Sequence, residues 1–420
     1  MIGNPPYVRQ EKLTNEYKNL LCSTYPNIGN GIADLYVYFF GLGLKLLNPQ
    51  GVLVLITLNK YLKTKYGKEL RNTLATGVTV DLIIDFFELP VFNASTDASI
   101  TKIFKEKKAI STRYFPIKTL DNLDLEKTTK GDFQITIKDE DEWKFIDYRD
   151  KTILEKIHTN TQSLKEFTND KIFYGVKTGA NEVFVLKNEV AQQLLNSESA
   201  PLVKRYAKPT SIKKWQIEGD ENYFLATGYD IDLIKYPTAL NYVNNFKNKL
   251  QTRCDKGVNY WNLRACAYYD EFEKTKLLYI HTAVDHQFYY DTEGHYINNS
   301  CYMIVSDSKF LFAFLNSKLF KWFKKIKFVA YGDGATSGRC KLDYNKMITV
   351  PIKKNVDETP FEELINVILS AKQANPQADT VELENQIDVL VYKLYDLTYD
   401  ELKIIDPYFQ LSEAEYDDIK

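Results

Sequence analysis

The sequence has few of the features that mark membrane-spanning, secreted or metal-dependent proteins. Its five cysteines stand at positions 22, 254, 266, 301 and 340. They form no CxxC pair and no metal-ligand spacing, which argues against disulfides and favours a reducing, cytoplasmic environment. No basic segment followed by an apolar one opens the chain, and apolar runs such as GVLVLITL are too short to cross a bilayer. No membrane association is therefore expected.

The patterns of common catalytic centres are also lacking. Three of the four histidines, at 281, 286 and 295, lie close together in the sequence. Without a carboxylate or cysteine at ligand spacing, ordinary strand histidines are favoured over a metal site. No Ser/His/Asp order, paired catalytic carboxylates or PD-(D/E)xK-like pattern stands out, so nuclease activity of this chain is not expected.

The composition is that of a globular protein with an uneven charge distribution. The chain has 420 residues, of which 44% are hydrophobic and 26% charged, enough for two or three packed domains. The net charge is -2, yet residues 201–350 carry 22 Lys and Arg against 15 Asp and Glu. A locally basic segment is typical of a module that contacts phosphates, although solvated lysine faces give the same count.

The first hundred residues alternate between helical and strand patterns. A dense apolar segment at 32–47 predicts a buried helix, and KYGKELRNTLA at 65–75 predicts a polar one. Strands are predicted at 51–57, 79–88 and 98–106. Continuous apolar strands separated by helices indicate an α/β sheet that is covered on both faces.

The rest of the chain divides by pattern into three further parts. We predict a first domain at 1–110, a connector at 111–159, a Tyr/Phe-rich mixed α/β domain at 160–355 and a helical tail at 356–420. In the tail, Asp379 with Glu382 and Thr398 with Glu401 have the spacing of capping boxes.

The segment Asn4-Pro5-Pro6-Tyr7 suits chemistry on an aromatic amine. The side-chain oxygen of Asn4 and the main-chain carbonyl of Pro5 can accept the two hydrogens of such an amine, which makes its lone pair more available. Tyr7 can stack on a base, and stacking returns roughly 1–3 kcal/mol against an extrusion cost of a few kcal/mol. A second aromatic ring is therefore expected nearby. The alternative is a proline-stiffened turn with a surface tyrosine.

The segment IGNPPYVR resembles the catalytic motif of the gamma-class DNA adenine amino-methyltransferases, which include type IIG restriction-modification enzymes and phage-defence methylases. ADLYVYFFGLGLKLLNPQGVLVLITLNKYL and FFELPVFNASTDASITKIFKEK resemble the segments that follow in that family. The resemblance implies that Asn4, Pro5 and Tyr7 are catalytic and that Phe92 is the second ring against a flipped adenine. It implies double-stranded DNA as the partner and S-adenosylmethionine as the methyl donor.

The same resemblance implies a target-recognition domain at 160–355 and the family's type of helical tail. It rests on FYGVKTGANEVFVL (173–186), LNSKLFKWFKKIKF (315–328) and LENQIDVLVYKLYDLTYDEL (383–402). The expected fold is thus a partial Rossmann-like methyltransferase sheet, a mixed α/β target-recognition domain and a helical C-terminal tail.

Several polar residues of the predicted recognition domain are candidates for DNA contact. They are Lys177, Asn181, Lys321, Lys324, Lys325 and Arg339. Lysines suit phosphates, and Asn reads adenine well. Arg253, Arg264 and Arg339 each suit guanine, and the sequence does not select among them. A structural turn at 175–182 and a helix with a solvated lysine face explain the same residues without DNA.

Donor-binding motifs of that family are expected on strands before the NPPY segment, and only three residues precede Asn4 here. The Gly-rich run GDGATSG (332–338) neither follows a buried strand closely nor opens a clear helix, so a loop is the favoured interpretation. We therefore expect a fragment that binds no S-adenosylmethionine and is inactive alone. Its open sheet edge favours a homodimer or pairing with a separate N-terminal piece.

Three functional hypotheses follow from the sequence. The first is the C-terminal portion of a site-specific DNA adenine methyltransferase of a restriction-modification or phage-defence system. The second is a non-catalytic, sequence-specific DNA-binding or specificity protein that retains the NPPY loop. The third is a fragment of an RNA or protein amino-methyltransferase, against which the large recognition domain argues.

Overall fold

The computed structural model divides into two compact units, Met1–Thr152 (unit 1) and Ile153–Lys420 (unit 2). The residues it describes are 1–108 except 63, 88 and 93–96, then 112–117, 120, 134, 135 and 143, and finally 148–328 and 339–419. Much of the predicted connector at 111–159 lies outside these residues, and the predicted domain borders stay a prediction. Within the described part of the chain, no helix is long and apolar enough to cross a bilayer.

Unit 1 contains a mixed sheet with helices. Its described strands are β1 (Ile2–Gly3), β2 (Val52–Leu58), β3 (Thr79–Asp85), β4 (Ala98–Phe104), β5 (Thr112–Pro116) and β6 (Gln134–Ile135). Its helices are α1 (Asn15–Thr24), α2 (Leu35–Leu46) and α3 (Lys68–Gly77), with 3-10 turns at Gln10–Lys12, Asn59–Leu62 and Lys65–Gly67.

The strands of unit 1 lie in the order β1-β2-β4-β3-β5-β6. β2 is parallel to β1, and both β2 and β3 are antiparallel to β4, which lies between them. β1, β2 and β3 therefore run in the same direction, and their carboxyl ends meet at one edge of the sheet. In open α/β sheets this edge is where ligands bind.

The predicted α/β fold is confirmed, and most predicted elements of unit 1 are shifted by only a few residues. The strand predicted at 79–88 ends at Asp85 instead. Phe87 adopts a positive φ of 49°, which turns the backbone out of the sheet. The apolar pattern alone does not report such a turn.

Helix α2 is buried on nearly all sides, as its dense apolar sequence predicts. Tyr36, Val37 and Phe40 are fully buried. Gly43 allows α2 to lie close to the sheet, because a Cβ atom there would be 2.7 Å from Leu53 Cδ2. The helix therefore forms a fixed support behind β2.

Unit 2 contains several small sheets and many helices. Its described strands are β7 (Thr161–Ser163), β8 (Ile172–Tyr174), β9 (Val185–Leu186), β10 (Val203–Arg205), β11 (Tyr223–Leu225), β12 (Lys276–Ile280), β13 (Thr282–Ala283), β14 (Phe288–Asp291), β15 (Cys301–Val305), β16 (Cys340–Lys341) and β17 (Pro351–Lys353). Helix α4 (Tyr148–Ile157) begins in unit 1, and the helices after it are α5 (Leu164–Phe167), α6 (Asn181–Phe184), α7 (Asn188–Leu195), α8 (Pro237–Asn244), α9 (Lys247–Thr252), α10 (Lys309–Asn316), α11 (Lys318–Lys327), α12 (Tyr344–Met347), α13 (Thr359–Ala374), α14 (Val381–Leu394), α15 (Tyr399–Ile405) and α16 (Glu413–Asp418). Four 3-10 turns lie at Ala200–Leu202, Pro209–Ser211, Leu233–Lys235 and Tyr269–Glu273.

The centre of unit 2 is an antiparallel sheet in the order β14-β12-β15-β8, beside a smaller sheet in the order β10-β11-β9. Residues of both sheets pack in one hydrophobic core, which contains a row of stacked rings. The ring centroids are 5.9 Å apart for Tyr206 and Phe224, 5.6 Å for Phe224 and Tyr296, and 4.6 Å for Tyr296 and Phe272. The predicted mixed α/β fold with many aromatic residues is confirmed.

The predicted helical tail is confirmed and belongs to unit 2. The capping box of Thr398 and Glu401 at the start of α15 is present. The capping box predicted at Asp379 and Glu382 is wrong, because Thr380 is the N-cap of α14. Asp379 accepts a hydrogen bond from the Val381 amide at 3.1 Å and so forms a local turn before the helix.

Asp388 of α14 is a buried carboxyl group whose ionisation opposes folding. Burial raises its pKa to about 6, although its Oδ1 accepts a hydrogen bond from the Lys318 amide at 2.9 Å. The unfolded chain has the ordinary aspartate pKa of about 3.9, so the folded state binds the proton more tightly. The contribution of Asp388 to stability is therefore highest below about pH 4 and falls as the pH rises towards about 6.

We expect Asp388→Asn to stabilise unit 2 at pH 7 by about 1–3 kcal/mol and to leave stability unchanged at pH 4. Urea unfolding of the full chain at the two pH values, followed by fluorescence, measures this, since three of the four tryptophans (215, 261 and 322) lie in unit 2. Asp220→Asn changes an exposed aspartate of the same unit and is the control. A destabilised Asp388→Asn protein at pH 7 would contradict the assignment.

Candidate functional site

The loop Asn4–Tyr7, called the NPPY loop below, follows β1 at the carboxyl edge of the sheet. Gly3 pairs with Leu55 of β2, which fixes the start of the loop. After the loop, the Val8 carbonyl accepts a hydrogen bond from the Leu35 amide at 3.0 Å. Asp34 Oδ1 accepts one from the Gln10 amide at 2.9 Å. The loop is therefore anchored to the sheet on one side and to the start of α2 on the other.

Tyr7 connects the parts of the candidate site. Its hydroxyl donates to Asn4 Oδ1 at 2.9 Å and lies 3.2 Å from the Ile56 carbonyl oxygen. Its ring centroid is 5.8 Å from that of Phe92, at an interplanar angle of 64°, and 6.5 Å from that of Tyr36. Partial burial raises the pKa of Tyr7, so its hydroxyl stays protonated at neutral pH. Asn4, Tyr7 and Phe92 thus lie together, although the sequence separates Tyr7 and Phe92 widely.

The NPPY loop exposes the polar side chain of Asn4 and buries the next residue, Pro5. The Tyr7 and Phe92 rings contact each other edge to face, so no base lies between them in this arrangement. A base between two parallel rings requires a centroid separation of about 7 Å, twice an ordinary carbon contact. Binding of a base between these rings would therefore require one of them to move.

Asp85 supports the turn that leads from β3 towards Phe92. This fully buried residue accepts hydrogen bonds from Asn59 Nδ2 at 2.9 Å and from the Phe87 amide at 3.0 Å. The Tyr114 hydroxyl donates to its other carboxylate oxygen at 3.1 Å, and burial together with the nearby carboxylate raises the pKa of Tyr114. Asp85 is not among the site residues predicted from the sequence. Its signal was an acidic residue at the end of the apolar strand TVDLIID.

The aromatic wall behind Tyr7 was also missed. Tyr36 is fully buried, accepts a hydrogen bond from the Tyr61 amide at 3.1 Å and lies 3.2 Å from the Tyr66 hydroxyl. Burial raises the pKa of Tyr36. These contacts fix the ring against which Tyr7 lies. The excess of tyrosine in α2 was the available signal.

Two family models match parts of the chain. The model described as Eco57I restriction-modification methylase matches residues 1–92, which include the NPPY loop and Phe92. The model described as TaqI-like C-terminal specificity domain matches residues 222–335 in unit 2.

Curated relatives match nearly the whole chain. The Type II methyltransferase M.BanIII of Aneurinibacillus aneurinilyticus is 23% identical over 93% of this chain and 75% of its own length. The Type II methyltransferase M.BstVI of Geobacillus stearothermophilus is 24% identical over 96% of this chain and 74% of its own length. The chain is thus similar over nearly its whole length to Type II methyltransferases.

A solved structure shares the fold of this chain. It is that of the Type IIL restriction-modification enzyme MmeI in complex with DNA, with a TM-score of 0.50 and 14% sequence identity. The match covers 99% of this chain and 55% of the MmeI chain. Our chain thus spans about half the length of that enzyme.

The two recognition candidates of the loop after β8 have different surroundings. Lys177 is exposed, and its Nζ lies 3.3 Å from Asp255 Oδ2. Asn181 is exposed at the start of α6, and its Oδ1 accepts a hydrogen bond from the Thr178 hydroxyl at 2.6 Å. That bond favours a structural turn for Asn181, whereas Lys177 stays available at the surface.

The lysines of α11 are likewise unequal. Lys321 and Lys325 are exposed, and Lys321 Nζ lies 2.9 Å from Asp285 Oδ1. Lys324 is buried, with its Nζ 3.2 Å from the Val284 carbonyl and 3.1 Å from His286 Nδ1. Its amine therefore points into unit 2, which favours a structural role over phosphate contact.

Arg339 and the histidines at 281, 286 and 295 are further sequence candidates of unit 2. Arg339 is exposed, and the Gly-rich run 332–338 before it lies outside the described residues. His295 Nδ1 is 2.8 Å from Asp291 Oδ1, in a different contact from that of His286 with Lys324. Among the described residues, no three His, Cys, Asp or Glu side chains form a possible metal site.

Proposed function

We propose that the chain carries the catalytic loop and the target-recognition part of a site-specific DNA adenine methyltransferase of a restriction-modification or phage-defence system. The complete enzyme would transfer a methyl group from S-adenosylmethionine to the exocyclic amine of a flipped adenine in double-stranded DNA. The observation that carries the proposal is the convergence of Asn4, Tyr7 and Phe92 at the carboxyl edge of the sheet.

The NPPY loop would hold the exocyclic amine by two acceptors. Asn4 Oδ1 and the Pro5 carbonyl would accept its two hydrogens, which favours a nitrogen with an available lone pair. In the present arrangement Asn4 Oδ1 accepts from the Tyr7 hydroxyl. When the base enters, this hydroxyl retains the Ile56 carbonyl as an alternative acceptor, so the exchange leaves no buried donor unpaired. Tyr7 and Phe92 would then contact the base.

The described residues at this edge do not fit the methyl donor. The polar side chains after β2 and β3, Asn59 and Asp85, hydrogen bond to each other and to the turn at Phe87. Among the described residues, these two side chains offer no free carboxylate for a ribose. We infer that the donor site needs residues other than those described at this edge, on the same polypeptide or on a partner.

The alternative function is a sequence-specific DNA-binding protein without catalysis. The same misfit to the donor favours it, because the recognition unit does not depend on a donor site. A methyltransferase would methylate the target adenine, whereas a DNA-binding protein without catalysis would leave it unmodified.

We expect the 420-residue chain alone to transfer no labelled methyl group to DNA. Together with the donor-binding residues it should form N6-methyladenine at one base of a defined sequence. Long-read sequencing of DNA from adenine-methylation-free cells that express each form measures both outcomes. Transfer by the isolated chain would refute the inferred division of the site. Sequence-specific binding by the complete protein without any methylation would establish the alternative.

A further inference from the structure

A long loop of unit 2 has no assigned role. Residues 253–268 connect α9 to the 3-10 turn Tyr269–Glu273 without forming a helix or a strand. The loop lies within the segment that matches the TaqI-like C-terminal specificity domain. Loops longer than about 12–15 residues in compact domains usually serve binding or catalysis. We call it the 253–268 loop.

Hydrogen bonds within the 253–268 loop and to residues 227–231 hold it in place. Asn262 is fully buried, and its amide donates to the Gly228 carbonyl at 2.9 Å and to the Ile231 carbonyl at 2.8 Å. Its side-chain oxygen accepts from the Asn259 amide at 2.8 Å. The Leu263 amide donates to the Thr227 carbonyl at 2.7 Å. Such a loop loses little conformational entropy when it binds a partner.

Arg253 anchors the loop to the segment after β8. Its guanidinium is buried, lies 4.6 Å from the centre of the Phe184 ring, and donates to the carbonyls of Thr178, Tyr260 and Asn262. These bonds occupy the donors that a base edge would need. Arg253 is therefore a structural residue.

Arg264 has the opposite environment. Its side chain is 44% exposed, and among the described contacts its guanidinium makes a single hydrogen bond, from Nη1 to Asp255 Oδ1 at 3.4 Å. The other oxygen of Asp255 lies 3.3 Å from Lys177 Nζ on the neighbouring segment. One carboxylate thus faces two exposed cations, and the trio keeps a net positive charge.

We propose that Arg264 contacts a guanine of the target site in the major groove, with Asp255 holding its guanidinium and Lys177 contacting a backbone phosphate. This inference rests on the proposed DNA recognition and adds to it the residue that reads a base. The free donors of Arg264 form the planar fork that matches guanine O6 and N7. The charge of Lys177 suits a phosphate, which fixes register and carries no sequence information.

The test selects preferred duplexes for the full 420-residue chain from a library with a randomised region, and repeats the selection with Arg264→Ala and Arg264→Lys. Both variants should lose the preference for guanine at one position by roughly 5- to 150-fold and keep the preferences elsewhere. Lysine should not restore it, because an ammonium group lacks the fork. Arg205→Ala replaces an exposed arginine elsewhere in unit 2 and should leave the selected sequence unchanged.

Lys177→Ala separates the two contacts. It should weaken binding to all duplexes alike and reduce the dependence of affinity on salt by about one phosphate contact, without changing the selected sequence. Thermal unfolding of each variant confirms that unit 2 is folded.

Two negative results have different meanings. An unaltered chain with no sequence preference would contradict the proposed recognition function and this inference with it. An unaltered chain with a preference that Arg264→Ala and Arg264→Lys both retain would refute the role of Arg264 alone.

Discussion

Asn4→Ala should lower methyl transfer by the complete enzyme by at least about 100-fold, with little change in DNA binding. Asn4 Oδ1 is the exposed acceptor of the NPPY loop and lies beside the Tyr7 ring. Removal of one positioned hydrogen-bonding group at a reacting centre typically costs about 10²–10³ in rate. The rate constant of a single turnover, measured with excess enzyme on duplex DNA, isolates this step from product release.

Two other variants make the Asn4 result specific. Tyr7→Phe keeps the ring and removes only the hydroxyl that donates to Asn4, so it should lower the rate less than Asn4→Ala. Asn30→Ala changes an exposed asparagine of unit 1 whose side chain bonds to Glu69, and it should have no effect. Equal rates for Asn4→Ala and the unaltered enzyme would contradict a role of the NPPY loop in methyl transfer.

The sequence predicted the elements of unit 1 and the meeting of the NPPY loop with Phe92, but not the contacts that fix them. The spacing of apolar residues and the length of each apolar segment predicted the strands. The family resemblance predicted that the two distant segments meet. The roles of Asn4, Pro5, Tyr7 and Phe92 stay predictions. Asp85 could not be assigned, because its partners Asn59 and Tyr114 come from the turn after β2 and from β5. Side-chain networks between strands depend on the fold, which local pattern does not report.

For the recognition candidates too, the sequence did not distinguish buried from exposed side chains at single positions. Lys324 follows Phe320 by four residues, so both lie on one face of α11, and this spacing indicated burial. The number of charges in KWFKKIKF does not show that Lys324 is buried. Arg253 and Arg264 are the same residue type in one loop, yet only Arg264 leaves its donors available. Arg253 is buried and Arg264 is exposed, and the sequence alone does not show this difference.

Asp291→Ala should destabilise unit 2 by about 3–5 kcal/mol, because it would leave a buried lysine without its partner. Lys276 and Asp291 are fully buried, lie opposite each other on β12 and β14, and form an ion pair. Asp291 also accepts hydrogen bonds from the ring and the amide of His295. Urea unfolding of the full chain at pH 7 measures the loss. Glu293→Ala, which removes a half-exposed partner of Arg205, should cost less than about 1 kcal/mol.

The pH dependence gives an independent check on this ion pair. Burial alone would raise the pKa of Asp291, but the His295 hydrogen bond and the charge of Lys276 outweigh it and lower the pKa. The stability from Asp291 is therefore fully present above the unfolded pKa of about 3.9 and is lost as the pH falls through the lower folded pKa. Lys276→Met combined with Asp291→Asn should recover part of the loss seen with Asp291→Asn alone, since no unpaired charge is then buried. If the double variant is as unstable as Asp291→Asn, the penalty comes from lost hydrogen bonds to the carboxylate and not from the isolated lysine.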